Sequence, residues 1–277
     1  MANPTPVAAF DSGVGSYSIV KIIRENLPRE HLVYLADRVS FPYGEKTHEE
    51  LKKNILSRIK WLETNYSPKL IVVASNTPSI QVLEEIKQEI KTPLIGVFPP
   101  VEKAVQISRS KHIAILTTKG VVESKEVDDF LKKKNFPQEV RFEKVNASDL
   151  VALVEPGIFL SDPLTTENIV NRFLSQLLEK YPAVDVMTLS NTHLPFLKEY
   201  FTKLYPNLNF LDPALDVATE VEDYLKNNNL LNDQTGSLTL LSTVDETRGF
   251  TIDNLQKTFS NIGLEKEIQE VKIPPLG

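Results

Sequence analysis

The chain of 277 residues contains no cysteine. Disulfides, thiolate metal sites, iron–sulfur ligation and cysteine nucleophiles are therefore all excluded. Glycine is scarce, with 10 residues against 18 prolines, which indicates an ordered chain rather than a low-complexity one. No apolar run approaches the roughly 18 residues that a membrane-spanning helix needs. We therefore expect no membrane association.

An excess of positive charge is also lacking. The sequence has 31 Lys and Arg against 37 Asp and Glu, a net charge of −6. A nucleic-acid-binding protein usually carries a basic patch, so no nucleic acid is expected as a partner. Residues 1–6 show no basic, apolar leader, which predicts a cytoplasmic protein. Histidines and carboxylates show no metal-ligand spacing, so no metal is expected.

The sequence does contain a regular alternation of short apolar runs and amphipathic stretches. Residues 70–74 are apolar throughout, which is typical of a buried parallel strand. Residues 165–181 carry apolar side chains at i, i+3, i+4 and i+7, which predicts a helix. Further helices are predicted at 80–90 and 121–134. The alternation as a whole predicts an α/β fold whose mostly parallel sheets are flanked by helices.

A tripeptide occurs twice at predicted strand exits. Ser75-Asn76-Thr77 follows one apolar strand, and Ser190-Asn191-Thr192 follows another. This placement favours an internal duplication, with two similar lobes that face each other across a cleft. Ligands of parallel α/β sheets bind beyond the carboxyl ends of the strands, so the residues after each strand are the candidates for a site.

Three strand exits suit a small anionic ligand, although each has an ordinary structural alternative. The loop 11–15, Asp-Ser-Gly-Val-Gly, allows close backbone approach at a helix N-terminus, or is a tight turn capped by Asp11. Pro42-Tyr43-Gly44 offers backbone amides and a hydroxyl donor, or is a plain proline turn. Residues 75–79 offer hydroxyls and an amide, or simply cap a helix.

Two further side chains are candidates for proton chemistry. His193 follows the second tripeptide at a strand exit, where the alternative is a structural histidine. Glu155 ends an apolar run at a turn, and its local pattern predicts a solvent-exposed carboxylate. Neither residue is decisive alone.

Taken together, these segments resemble the glutamate racemases of the aspartate/glutamate racemase family. Residues 10–15 resemble the family's F-D-S-G-V-G-G, and residues 37–44 resemble D-T-x-R-x-P-Y-G. Residues 72–79 resemble V-V-A-C-N-T-A-S, and residues 189–195 resemble L-G-C-T-H-Y-P. The resemblance implies two pseudo-symmetric α/β lobes with glutamate bound between them, and no cofactor. We expect one lobe of residues 1–98 completed by 212–277, and a second of 99–211.

The resemblance also implies roles for individual residues. Asp11 matches a carboxylate near the first family cysteine, and Glu155 and His193 match a pair near the second. Family members use two cysteines on opposite faces of the α-carbon, and Ser75 and Asn191 stand at those two positions. Substrate-contacting positions are matched by Ser12, Pro42, Tyr43, Gly44, Asn76, Thr77, Thr118 and Thr192. Other family residues are replaced by Ser40, Pro99 and Val121.

The missing thiols leave three functional hypotheses. A thiol has a pKa near 8.5, whereas a serine hydroxyl lies many units higher and asparagine has no useful acid–base chemistry. The favoured hypothesis is a pseudoenzyme that binds a small amino acid or dicarboxylate. The alternatives are an active cofactor-independent racemase or isomerase that uses Asp11, Glu155 and His193 and supplies D-glutamate for peptidoglycan, and a partner-binding scaffold. Family members commonly dimerise, so the resemblance allows a homodimer.

Overall fold

A computed structural model describes residues 5–262, 264 and 266–275. The strands in these residues belong to two separate sheets, of six and four strands. In chain order the strands are β1 (Val7–Asp11), β2 (His31–Asp37), β3 (Leu70–Val73), β4 (Leu94–Gly96), β5 (His112–Thr117), β6 (Arg141–Asn146), β7 (Val186–Leu189), β8 (Asn209–Leu211), β9 (Ser237–Thr243) and β10 (Ile268–Glu270).

Helices connect the strands and cover the sheets. In chain order they are α1 (Tyr17–Asn26), α2 (His48–Tyr66), α3 (Asn76–Gln81), α4 (Leu83–Ile86), α5 (Val101–Ile107), α6 (Lys119–Glu123), α7 (Lys125–Lys133), α8 (Ser148–Val154), α9 (Ile158–Ser161), α10 (Pro163–Lys180), α11 (Lys198–Leu204), α12 (Ala214–Asn227) and α13 (Ile252–Asn261). Among the described residues, no helix is both long and apolar enough to cross a membrane.

The two sheets share one arrangement of strands. The larger sheet runs β10-β9-β2-β1-β3-β4 and the smaller runs β6-β5-β7-β8, with every neighbouring pair parallel. The order β2-β1-β3-β4 therefore recurs as β6-β5-β7-β8. The predicted α/β class with mostly parallel sheets is confirmed, and the repeated strand order agrees with an internal duplication.

The repeated tripeptide does not itself mark equivalent positions. Ala74, the first residue after β3, donates its backbone N–H to the carbonyl of Phe10 on β1. Ser190, the first residue after β7, donates its N–H to the carbonyl of Leu116 on β5 in the same way. These matching bonds align Ser75 with Asn191, whereas the tripeptides would align Ser75 with Ser190. The two tripeptides are thus offset by one residue from the equivalence that strand pairing sets, which agrees with Ser75 and Asn191 as the matching positions.

Helix α2 shows how the sequence determines a local element. Thr47 accepts a hydrogen bond from the N–H of Glu50, whose carboxylate accepts one from the N–H of Thr47 at 2.9 Å. This capping box satisfies backbone groups that the first turn leaves open. The apolar stripe of α2 is fully buried, and it consists of Leu51, Ile55, Ile59 and Leu62.

Two predicted helices are interrupted. The stretch predicted at 80–90 forms α3 and α4, separated at Val82, whose φ of −130° leaves the helical region. The stretch predicted at 121–134 forms α6 and α7, separated by the extended backbone of Ser124. Apolar periodicity continues across both breaks, so it does not reveal them. The short helix α8 has no counterpart among the predicted helices.

The last strands return to the first sheet. Strand β9 pairs with β2, and β10 pairs with β9. Helix α12 packs against α1. The division into residues 1–98 with 212–277, and 99–211, stays a prediction.

Candidate functional site

One cavity of about 770 Å³ collects every residue that the sequence predicted for the site. It lies where the carboxyl ends of strands from both sheets meet, as expected for parallel α/β structures. Its lining includes Asp11, Ser12, Pro42, Tyr43, Gly44, Ser75, Asn76 and Thr77 from one side, and Thr118, Glu155, Asn191, Thr192 and His193 from the other.

The glycines after β1 allow side chains of the opposite side to approach. A Cβ on Gly13 would collide with Glu155 Oε1, and a Cβ on Gly15 would lie 2.7 Å from His193 Nδ1. The predicted reason for these glycines was close approach of a ligand at a helix N-terminus. The structure shows instead that they accommodate Glu155 and His193, so the Asp-Ser-Gly-Val-Gly loop is a packing surface between the two sides.

The first wall of the cavity is built around Asp11, a buried carboxyl at the end of β1. Its Oδ1 accepts a hydrogen bond from the Ser12 N–H at 2.7 Å, and its Oδ2 accepts one from the Thr192 hydroxyl at 3.0 Å. Burial raises the pKa of Asp11 above its ordinary value, although the charge of His193 and these hydrogen bonds, together with one from Ser75, work in the opposite direction. Asp11 therefore holds a proton more readily than an ordinary aspartate.

Asn76 presents a hydrogen-bond acceptor on this wall. Its Nδ2 donates to the carbonyl of Val97 at 3.1 Å, while its Oδ1 is buried and has no partner among the described residues. Since the bond to Val97 fixes which end of the amide is the donor, the oxygen is the end that is left without a partner. Thr77 and Thr118 meet across the cavity with their hydroxyl oxygens 3.4 Å apart.

The second wall is built around His193, whose two ring nitrogens are both engaged. Nε2 lies 2.5 Å from Glu155 Oε1, and Nδ1 lies 3.0 Å from Asn191 Oδ1. The backbone N–H of His193 donates to the same Asn191 atom at 3.0 Å. A backbone N–H only donates, so that atom must be the amide oxygen, and Nδ1 must carry a proton.

Glu155 is a buried, ionised partner of this histidine. Burial opposes its charge, but the hydrogen bond and charge of His193, the charge of Arg38 and the N–H of Val14 together lower its pKa from 4.5 to about 2. Arg38 Nη1 lies 2.7 Å from Glu155 Oε2. Both ring nitrogens of His193 are therefore engaged by protein groups, one by Glu155 and one by Asn191.

The local prediction that Glu155 is a solvent-exposed turn carboxylate is wrong. Its side chain is only 11% exposed. Helix α8 ends at Val154 and delivers Glu155 to the loop after β1, where the Val14 N–H donates to it at 3.1 Å. The apolar run before Glu155 indicated the end of a strand or helix. It could not reveal burial of the carboxylate, because the contacts with Val14 and His193 join residues far apart in the sequence.

Sequence reasoning also missed two buried arginines. Arg38 pairs with Glu155, and its guanidinium lies 4.2 Å from the ring centroid of Phe250, a cation–π contact that holds it in place. The resembling motif has threonine at this position and arginine at that of Ser40. The positive charge has thus moved by two residues along the turn.

Arg58 contacts Ser40, the residue that stands at the position of the motif arginine. It reaches from α2 to Asp37 with two hydrogen bonds of 2.6 and 2.9 Å, and to the Ser40 hydroxyl at 2.9 Å. Tyr43 donates its hydroxyl to the same Asp37 carboxylate at 3.0 Å. This network holds the turn that lines the cavity. A signal was available, because Arg58 lies three residues after Ile55, on the buried face of α2.

No protein-family model matches the chain. Individual relatives do match it. The chain is 32% identical over 224 residues to a glutamate racemase of Glaesserella parasuis, and the match covers 79% of this chain and 81% of that protein. Glutamate racemase of Escherichia coli, solved in complex with L-glutamate and the activator UDP-MurNAc-Ala, is 26% identical with a TM-score of 0.82 and coverage of 99% and 100%. That of Francisella tularensis, solved with D-glutamate, is 25% identical with a TM-score of 0.76 and coverage of 97% of each chain.

The two parallel α/β sheets with a shared cavity at their strand ends thus match the fold of solved glutamate racemases, as the resemblance predicted. The chain belongs to the glutamate racemase family.

Proposed function

We propose that this chain is a glutamate racemase-like protein that binds a small amino acid or dicarboxylate in its cavity without two-base racemisation. The observation that carries the proposal is the equivalence of Ser75 and Asn191, which stand at matching places after β3 and β7 and both line the cavity. Removal of an α-proton requires a base whose pKa lies near the working pH. A serine hydroxyl is far too weak an acid to supply one, and asparagine has no such group.

The charged neighbours on the second wall do not replace the missing thiols. General acid–base catalysis needs a group that can reach the reacting atom with a free lone pair or an available proton. His193 has committed both ring nitrogens to Glu155 and Asn191. Glu155 is held by His193, Arg38 and Val14. Charge compensation inside the protein therefore leaves this wall without a free base.

Ligand binding is supported by one buried polar atom without a partner and by the hydroxyls around it. Asn76 Oδ1 is buried without a partner, and the hydroxyl residues Ser12, Ser75 and Thr77 line the same cavity. Buried polar groups are normally hydrogen-bonded, so a buried oxygen without a partner points to a ligand or water at that place. Relatives with L-glutamate or D-glutamate in their solved structures support an amino-acid ligand. The cytoplasmic location, the absence of a cofactor and the homodimer stay predictions.

An active isomerase is the second candidate, and Asp11 is the observation in its favour. A carboxyl whose pKa is raised by burial is a better proton acceptor than an ordinary aspartate. Asp11 would then act on one face of the ligand, with a water ordered by Ser75. This candidate predicts that Asp11→Asn abolishes any exchange that the wild-type protein catalyses.

Hydrogen exchange at the α-carbon tests both candidates. D- and L-glutamate, D- and L-aspartate and glutarate are incubated with the protein in deuterated water, and binding of each is measured by calorimetry. We expect saturable binding with exchange at the background rate. Exchange at an enzymatic rate would contradict the pseudoenzyme. Absence of both binding and a ligand-induced thermal shift would favour a partner-binding scaffold instead.

A further inference from the structure

The orientation of the Asn191 side chain is fixed by the residue two positions after it. Both the backbone N–H and Nδ1 of His193 converge on Asn191 Oδ1 at 3.0 Å. Turning the amide around would place its NH₂ group against two N–H donors, which is strongly unfavourable. The position of the amide nitrogen is therefore determined by the protein rather than free to adapt to the ligand.

The amide nitrogen is the part of Asn191 that remains available. Asn191 is 4% exposed and lines the cavity. Among the described residues, its Nδ2 donates to no protein acceptor, and it is not one of the buried atoms left without a partner. The cavity consequently meets an NH₂ donor at the place where the resembling motif has a thiol. A neutral NH₂ group is a hydrogen-bond donor that suits an anionic oxygen.

The two asparagines of the cavity thus show opposite ends of their amides. Asn76 uses its nitrogen on Val97 and leaves an oxygen, whereas Asn191 uses its oxygen on His193 and leaves a nitrogen. A ligand that fits both must offer a donor to one side and an acceptor to the other.

We propose that Asn191 is a specificity-determining residue that anchors a carboxylate oxygen of the ligand through its Nδ2. The inference rests on the proposed function, since it needs a ligand in this cavity. It gives the substituted position a role in binding, in place of the proton transfer that its side chain cannot perform. The ligand class that it selects is a carboxylate.

Asn191→Asp is the variant that tests the anchor with the least disturbance. One carboxylate oxygen keeps both bonds from His193, while the other replaces the donor by an acceptor and repels a carboxylate. Affinity for L-glutamate, D-glutamate and glutarate is measured by calorimetry. For each probe that the wild-type protein binds, we expect a loss of about ten- to hundred-fold, the usual size for a hydrogen bond to a charged group. Asn207→Asp, an exposed site outside the cavity, adds the same charge and is expected to change affinity by less than about two-fold.

A second measurement keeps the test independent of the variant's folding. In amide NMR spectra of the wild-type protein, the Asn191 NH₂ signals are expected to shift on titration with the bound probe, with the same Kd as calorimetry. Unchanged affinity in a folded Asn191→Asp variant, or Asn191 NH₂ signals that do not shift when a probe binds, would contradict the role of Asn191 as an anchor but not the proposed function. Failure of the wild-type protein to bind any probe would overturn the proposed function together with it.

Discussion

The two walls of the cavity each carry a buried carboxyl, and the two behave in opposite ways. Asp11 is surrounded by neutral donors and a histidine at a distance, and burial raises its pKa. Glu155 is in contact with both His193 and Arg38, and its pKa is lowered to about 2. Both are almost removed from solvent, so the difference lies in the charge of their neighbours rather than in burial.

This comparison shows what remains where the family motifs have thiols. The first wall keeps a carboxyl that can still take up a proton, and the Ser75 hydroxyl stands beside it. On the second wall, Arg38 pairs with Glu155, Glu155 contacts His193, and His193 contacts Asn191, so the polar groups satisfy one another. A ligand would therefore meet groups that can give or take a proton, Asp11 and Ser75, on the first wall. On the second wall it would meet the Asn191 amide, whose orientation is fixed by His193.

Restoring the thiols is expected to have the largest effect. The double variant Ser75→Cys with Asn191→Cys should raise α-proton exchange of glutamate by at least about 10²-fold for each restored thiol, the usual contribution of one acid or base. Exchange is followed by NMR in deuterated water. A double variant that binds glutamate but stays at the background rate would contradict the assignment of these two positions.

The single variants sharpen the comparison between the walls. A cysteine at 191 would lie against the His193 ring, a hydrogen-bonding partner that favours the thiolate, whereas one at 75 would lie beside the buried carboxyl of Asp11, which does not. We therefore expect Asn191→Cys alone to promote exchange without racemisation, and to exceed Ser75→Cys alone at neutral pH. The reverse order would show that the two walls do not differ in charge as the contacts indicate.

The two buried arginines, Arg58 and Arg38, test how strongly the stability of the chain depends on each buried ion pair. Arg58→Met leaves the fully buried Asp37 without a charged partner, and we expect a loss of about 3–5 kcal/mol in the free energy of unfolding. Arg38→Met is expected to cost less, because Glu155 keeps His193. Lys87→Met, which breaks an exposed pair with Glu84, is the control and should cost under about 1 kcal/mol. Urea unfolding of the three variants provides the comparison, and equal losses for the two buried arginines would contradict it.

The sequence was sufficient for the fold class and for which segments meet at the cavity. Strand exits can be located from apolar runs, and parallel sheets bring those exits together, so Asp11, Ser75 and His193 were placed without coordinates. The repeated tripeptide was a weaker guide. It suggested an internal duplication, with which the repeated strand order agrees, but the two tripeptides themselves are offset by one residue because chance can produce three polar residues at a strand exit.

The charges of the second wall could not be read from the sequence. The contact between Glu155 and Arg38 joins the end of α8 to the turn after β2, and no local pattern encodes so distant a pair. Arg58 could have been identified from the sequence, since a charged residue on the buried face of a helix must find a partner. Its partner Asp37 lies at the end of β2, and only the packing of α2 against the sheet identifies it.

The pH dependence of stability is expected to separate the two carboxyls. The pKa of Glu155 is lower in the folded chain, so its ionisation contributes stability above its ordinary pKa of 4.5 and loses that contribution as the pH falls through about 2. A shift of this size corresponds to about 3 kcal/mol. Glu155→Gln should therefore cost about that much at pH 7, and the gap from the wild-type protein should narrow between pH 4.5 and 2. A gap that is constant in urea unfolding across this range would contradict the ion network.

The smallest effect is expected for Thr192→Val, which removes the hydroxyl that donates to Asp11 across the cavity. The deleted bond favours the charged carboxylate, so its loss raises the pKa of Asp11 further and costs about 1.5 kcal/mol where Asp11 is ionised. Because that pKa is already raised, the penalty should be complete only well above it and should vanish as the pH falls below it. Thr188→Val is the matched control, since its hydroxyl meets only that of Ser190 and its cost should not depend on pH. Urea unfolding at a series of pH values measures the cost of both variants. A cost for Thr192→Val that persists between pH 4.5 and 2, where Glu155 loses its contribution, would show that Asp11 remains ionised as Glu155 does.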